Sequence, residues 1–260
     1  MPTWRARVRT WLVLAAVVLI LGVLLPPVGR YARQYAFVES LQFVVFAVAA
    51  PALLVLGAPR GLDRLSRRGR GASRSPGLGG RRPSRRPGVF RAAAVLAVFI
   101  ALVIAWRLPV TVNALARDPD LTVAELVTLL AGGSGVWLEL AGSPPPLLPR
   151  LSRPQRAAMA ALVMWTIWVL AYIMGMSRVA WFAAYAHPAG HGLSTAADQQ
   201  LAVGILWAVP ALCFPPVIYA MIATWLRDSD DPDQELRKIS DRGSAPAGLS
   251  SWPRPPRGWR

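Results

Sequence analysis

Six long, nearly uncharged apolar stretches constrain this chain more than any other feature. They cover residues 11–25, 37–57, 89–106, 121–140, 157–176 and 201–225. A bilayer hydrocarbon core about 30 Å thick is crossed by roughly 20 helical residues rising 1.5 Å each, so all but the first run are long enough as they stand. Within lipid an open segment must satisfy its own backbone polar groups, which only a helix does, so the many Val and Ile residues do not redirect the runs to strands. The expectation is an all-α integral membrane protein, a polytopic bundle of about six transmembrane helices. The first run follows basic residues in the manner of a signal peptide, but Leu24-Leu25-Pro26-Pro27 replaces a small-x-small cleavage pattern, and it is read as an uncleaved anchor.

Charge agrees with that reading and orients it. The 29 Lys+Arg exceed the 13 Asp+Glu by 16, yet 54% of residues are hydrophobic. A nucleic-acid partner would account for the charge and not for the hydropathy, so none is expected. If both termini are cytoplasmic, inner segments hold 24 of the basic residues and outer segments only Arg30, Arg33, Arg107, Arg117 and Arg178. Residues 1–59 then carry helices one and two, and 60–88 an Arg-rich cytoplasmic loop too polar to bury a core and expected to be disordered. Helices three to six occupy 89–227, and 228–260 form a disordered cytoplasmic tail. Anionic lipid is the natural partner of the arginine loop, which also serves as a topology signal.

Ionisable groups inside the spans cost the most to insert and so point most directly to function. Glu39 and Gln42 share one face of helix two, Glu125 lies about a turn into helix four beside Thr122 and Thr128, and Asp198-Gln199-Gln200 opens helix six. Helices two, four and six all run inward. Their polar groups therefore fall at one depth in the outer third of the membrane, which predicts a polar pocket open to the extracytoplasmic side. Glu139 falls at the opposite end of helix four, near Arg150 and Arg153.

Soft metal ligands are scarce. His187 and His191 flank Pro188 and Gly190 in a loop, and Met174 and Met176 end helix five on the same outer side. With Glu39 and Glu125 they make up the candidate metal set, and copper is the candidate cofactor because thioether and imidazole suit copper(I). The lone Cys213 lies between Pro210 and Pro215, where packing in a bent or broken helix six is expected. Residues 131–135, AGGSG, allow close helix contact, with Ala131 and Gly135 at the four-residue spacing. No hydrolase triad, phosphate loop, dinucleotide fingerprint or zinc-protease helix is present, so no enzyme activity is expected.

Three segments together resemble one family. QFVVFAVAAPALLVLGAP at 42–59 is similar to the second-helix signature of the CtaG family of bacterial cytochrome c oxidase assembly proteins, and LSTAADQQLAVGILW at 193–207 to its Asp-Gln-Gln segment. DPDLTVAELVTLLAGGSGVWLELAG at 118–142 resembles its middle helix. The resemblance implies a multi-pass bacterial plasma-membrane chaperone of the respiratory chain, assisting haem-copper oxidase, with oxidase subunits as partners and copper delivery as its chemistry. Glu125, Gln42, Asp198 and Gln199 match the pattern. Glu39, Phe43, Thr122 and Leu126 stand where the family has histidines, so the retained polar residues are expected to serve helix packing and partner docking. The other readings of the same carboxylates are a small-solute or proton transporter and a non-catalytic membrane scaffold.

Overall fold

A computed structural model of the chain describes residues 4–58, 86–141, 151–186 and 192–229. Eight helices and no strand occur among them: α1 (Trp4–Leu24), α2 (Val28–Tyr31), α3 (Ala36–Gly57), α4 (Arg86–Arg107), α5 (Pro109–Leu115), α6 (Pro119–Ala141), α7 (Arg153–Met176) and α8 (Thr195–Ser229). Six of these are long and apolar enough to cross a membrane, and they are the six predicted runs. The helices extend the apolar runs at one or both ends, because neighbouring polar residues can continue a helix once it emerges from the apolar layer. Residues 86–88, assigned to the arginine loop on composition, already belong to α4, while the rest of that loop and the tail beyond 229 lie outside the described residues.

Helix α3 is the centre of the bundle. Two-thirds of its most apolar window is buried, against about a tenth for α1 at the periphery. Large apolar side chains such as Val98, Leu162, Leu212 and Tyr219 face outward instead, as a lipid-solvated surface requires. A single π-turn, Val45–Ala49, interrupts α3, with the Ala50 N–H bonding back to the Val45 carbonyl. The next residue but one is Pro51, which has no N–H to offer the preceding turn, and a π-turn is one way to accommodate that loss.

The structure narrows two expectations about packing. Helix α8 continues unbroken through Pro210, Pro215 and Pro216. In α6 the residue of closest approach is Gly133 rather than the Ala131 and Gly135 pair. A Cβ there would collide with the Ala47 carbonyl oxygen and come within 2.8 Å of Pro51 Cγ, so α6 crosses α3 beside the π-turn with backbone almost touching backbone.

The end of the bundle where α4 starts and α6 stops is pinned by a two-pronged ion pair. Arg91 Nε and Nη2 donate to Glu139 Oε1 and Oε2 at 2.9 and 3.0 Å. Glu139 is thus partnered by Arg91 on the antiparallel neighbour, while Arg150, next to it in the sequence reading, lies outside the described residues. Helix α7 starts there on a capping box, with the Ser152 N–H donating to Gln155 Oε1 at 2.9 Å.

Candidate functional site

At the other end, α3, α6 and α8 begin and α1, α4 and α7 finish. Helix termini leave their first N–H and last C=O groups without intrahelical partners, and polar side chains from neighbouring spans take them up. Asp198 accepts from the Ala36 and Phe37 N–H groups at 2.8 and 2.9 Å, so the first turn of α3 is capped by a carboxylate on α8, which also complements the positive end of the α3 dipole. Gln42 Nε2 donates to the Val23 carbonyl at 2.6 Å, tying α3 to the last turn of α1. Gln199 Nε2 donates to the carbonyls of Met174 and Ser177 at 2.9 and 3.2 Å at the finish of α7. The polar level read from the sequence is therefore mostly a set of interhelical caps. Replacing Asp198 with Ala removes both bonds at once and is expected to destabilise the protein by about 1–2 kcal/mol, read as a lowered unfolding midpoint in detergent.

Glu39 does not cap anything. It meets Arg107, the last residue of α4: Arg107 Nη1 donates to Glu39 Oε2 at 2.8 Å and to Ser40 Oγ at 3.3 Å. The guanidinium lies 3.9 Å above the Phe43 ring, so the side chain that follows Gln42 supplies a cation–π face rather than a ligand. Both charged groups are sealed from solvent, Glu39 at 6% and Arg107 at 5% exposure. Glu125, at 3%, joins them from α6 and is in electrostatic reach of both. Arg107 is the functional residue that sequence reasoning missed, having been assigned to an outer loop.

The segment between α7 and α8 closes this region. The Trp181 N–H donates to Gln199 Oε1 at 2.9 Å and the Ala184 N–H to Asn113 Oδ1 at 2.8 Å, so both adjoining helical layers hold it down. It forms one 3₁₀ turn, Ala183–Tyr185, and buries Phe182 and Tyr185. Tyr185 feels Glu39, Arg107, Glu125 and Asp198 together, which places the three spans' charges in one neighbourhood. Among the described residues this segment leaves a small pocket at the same level, lined by Ala36, Phe182, Tyr185, Asp198 and Gln199.

Burial, and next the Glu39 carboxylate, push the Tyr185 phenol far above its ordinary range, with Arg107 acting the other way. The phenol therefore stays a neutral donor, to the Ala32 carbonyl at 3.0 Å. Unfolded, it would ionise near pH 10. Above that pH the unfolded state binds fewer protons than the folded one, and stability falls as pH rises. Tyr185→Phe is expected to make that alkaline decline shallower in melts taken from pH 8 to 11.

The six-residue metal set is not gathered in the described residues. Met174 is packed in the core, Met176 is exposed, and His187 and His191 lie outside the described residues. No group of three or more His, Cys, Asp or Glu side chains is placed to hold an ion among the described residues. Glu39 already has a cation on it, and Arg107 would repel a second one. The buried carboxylates therefore do not fit a copper ion. A family model described as cytochrome c oxidase caa3 assembly factor (Caa3_CtaG) matches residues 2–228. No curated protein and no solved structure matches the chain. A match over that much of a six-span chain, including the capped and charged end just described, makes this protein a member of the Caa3_CtaG family of cytochrome c oxidase assembly factors.

Proposed function

We propose that this protein assists the maturation of haem-copper cytochrome c oxidase in the bacterial plasma membrane, acting from the extracytoplasmic side by docking oxidase subunits rather than by catalysis. The observation that carries the proposal is the family match across residues 2–228. Its physical support is the ordered end of the bundle: the starts of α3 and α8 and the finishes of α1, α4 and α7 are locked by Asp198, Gln42, Gln199 and the Glu39–Arg107 pair, which would hold a defined surface for a partner. The orientation follows the arginine distribution, and the arginine loop on the opposite face would hold anionic lipid.

Copper handling, in this reading, does not run through Glu39 or Glu125. Copper bound per protein, measured after purification with copper(I), is expected to be unchanged by Glu39→Gln and Glu125→Gln. A fall to near zero in either variant would return those carboxylates to the metal site. Against the transporter alternative, the interior between the Glu39–Arg107 level and the Arg91–Glu139 pair is apolar among the described residues, with Val44, Val48, Phe99, Val103 and Leu129 buried there. Deleting the gene and measuring assembled oxidase and its activity tests the proposal. Both are expected to drop and to return with the wild-type copy, and unchanged oxidase would reject it.

A further inference from the structure

Arg107 meets its partners through one nitrogen only. Nη1 serves Glu39 and Ser40, while Nε and Nη2 are buried without a hydrogen-bond partner. Those two nitrogens form the edge with which a guanidinium ordinarily grips two oxygens. Two acceptors in the same neighbourhood are equally buried and unpartnered, Glu39 Oε1 and Glu125 Oε1. The count is matched, two donors against two acceptors, on three side chains each more than nine-tenths buried. Leaving four such atoms unsatisfied in a low-dielectric interior is destabilising enough that native proteins rarely tolerate it.

The chemistry of the set selects what completes it. A metal cation would face the guanidinium, and an anion would face two carboxylates. An apolar occupant would satisfy nothing. A small neutral molecule that both donates and accepts meets all four atoms, and water is the molecule of that kind present everywhere. We propose that ordered water sits between the Nε–Nη2 edge of Arg107 and the unpartnered oxygens of Glu39 and Glu125. Arg107 then holds both carboxyl groups, Glu39 directly and Glu125 through water. It is a positioning residue that joins α4 to α3 and α6, under the cover formed by Phe182 and Tyr185.

The test uses the full chain in lipid nanodiscs and in mixed micelles. A structure at a resolution that shows ordered water is expected to place water density within hydrogen-bond distance of Arg107 Nε or Nη2 and of Glu125 Oε1. A dry contact, with the guanidinium edge resting directly on Glu125, would overturn the proposal. Because Arg107→Met alone leaves Glu39 uncompensated, the energetic arm is run in a Glu39→Gln background. There, Arg107→Met and Glu125→Leu are expected to be non-additive by about threefold or more in the unfolding equilibrium constant. Glu125→Gln, which keeps an acceptor oxygen, should retain most of the coupling. Strict additivity of the Arg107 and Glu125 changes would refute the shared water link.

Discussion

Arg107→Met lowers the stability of the folded protein by about 3–5 kcal/mol, and adding Glu39→Gln to it restores most of that loss. The asymmetry follows from where the pair sits. Glu39 and Arg107 have side chains only 8% and 3% exposed, so each has surrendered its hydration and recovers the cost through the other. Removing the guanidinium leaves a carboxylate with no solvent, with Asp198 adding like charge nearby. Removing both formal charges leaves no ion to solvate, and what remains lost is the hydrogen bond, the Ser40 contact and the stacking over Phe43. Equilibrium unfolding in mixed micelles measures all three variants on one scale. A double variant as unstable as the sum of the two singles would mean that the pair is not a unit, and the account of this end of the bundle would fail with it. Oxidase levels in cells carrying the same variants should follow the order of stability, since the proposed role needs an ordered surface rather than a reactive carboxylate.

The six helices were legible because apolar length alone separates a span from a loop, and each predicted run falls within or against a helix of the structure. Their polar level was legible too, since Glu39, Glu125 and Asp198 all lie near the starts of helices that run in the same direction. Three things were not. By charge count Arg107 falls with the outer loop, although Trp106-Arg107 followed by Pro109 marks a helix finish at the level of the acids. The partners of Asp198 and Gln199 are backbone groups of other helices, which no side-chain pattern advertises. Glu139 was matched to basic residues close in sequence, whereas antiparallel packing brings Arg91 from the start of α4 to the same depth. The prolines of α8 fall in the same class. Nothing in their spacing distinguishes a broken helix from one whose neighbours hold it continuous.

Gly133→Ala is expected to destabilise the protein by about 1–3 kcal/mol, and Gly133→Leu by at least the upper end of that range. Alanine is ordinarily the better helix former by about 1 kcal/mol, so a loss here reverses the sign that an isolated helix would show. The reason is the crossing of α6 over α3. The new methyl would meet the Ala47 carbonyl oxygen and the Pro51 ring, and two of the elements that could yield are covalently stiff: a backbone carbonyl within a π-turn and a proline. Relief then requires α6 to move away from α3, which would also pull Glu125 from Glu39 and Arg107 two turns further along the same helix. The neighbouring glycines provide the control. At Gly135 the nearest atom to an added Cβ is Val95 Cγ1 at 3.4 Å, and at Gly204 nothing lies within 4 Å, so Gly135→Ala and Gly204→Ala should be neutral or slightly stabilising. Unfolding midpoints of the three alanine variants decide the matter: equal effects at Gly133, Gly135 and Gly204 would show that α6 and α3 do not touch as described, and that the charged end is held by its ion pair and caps alone.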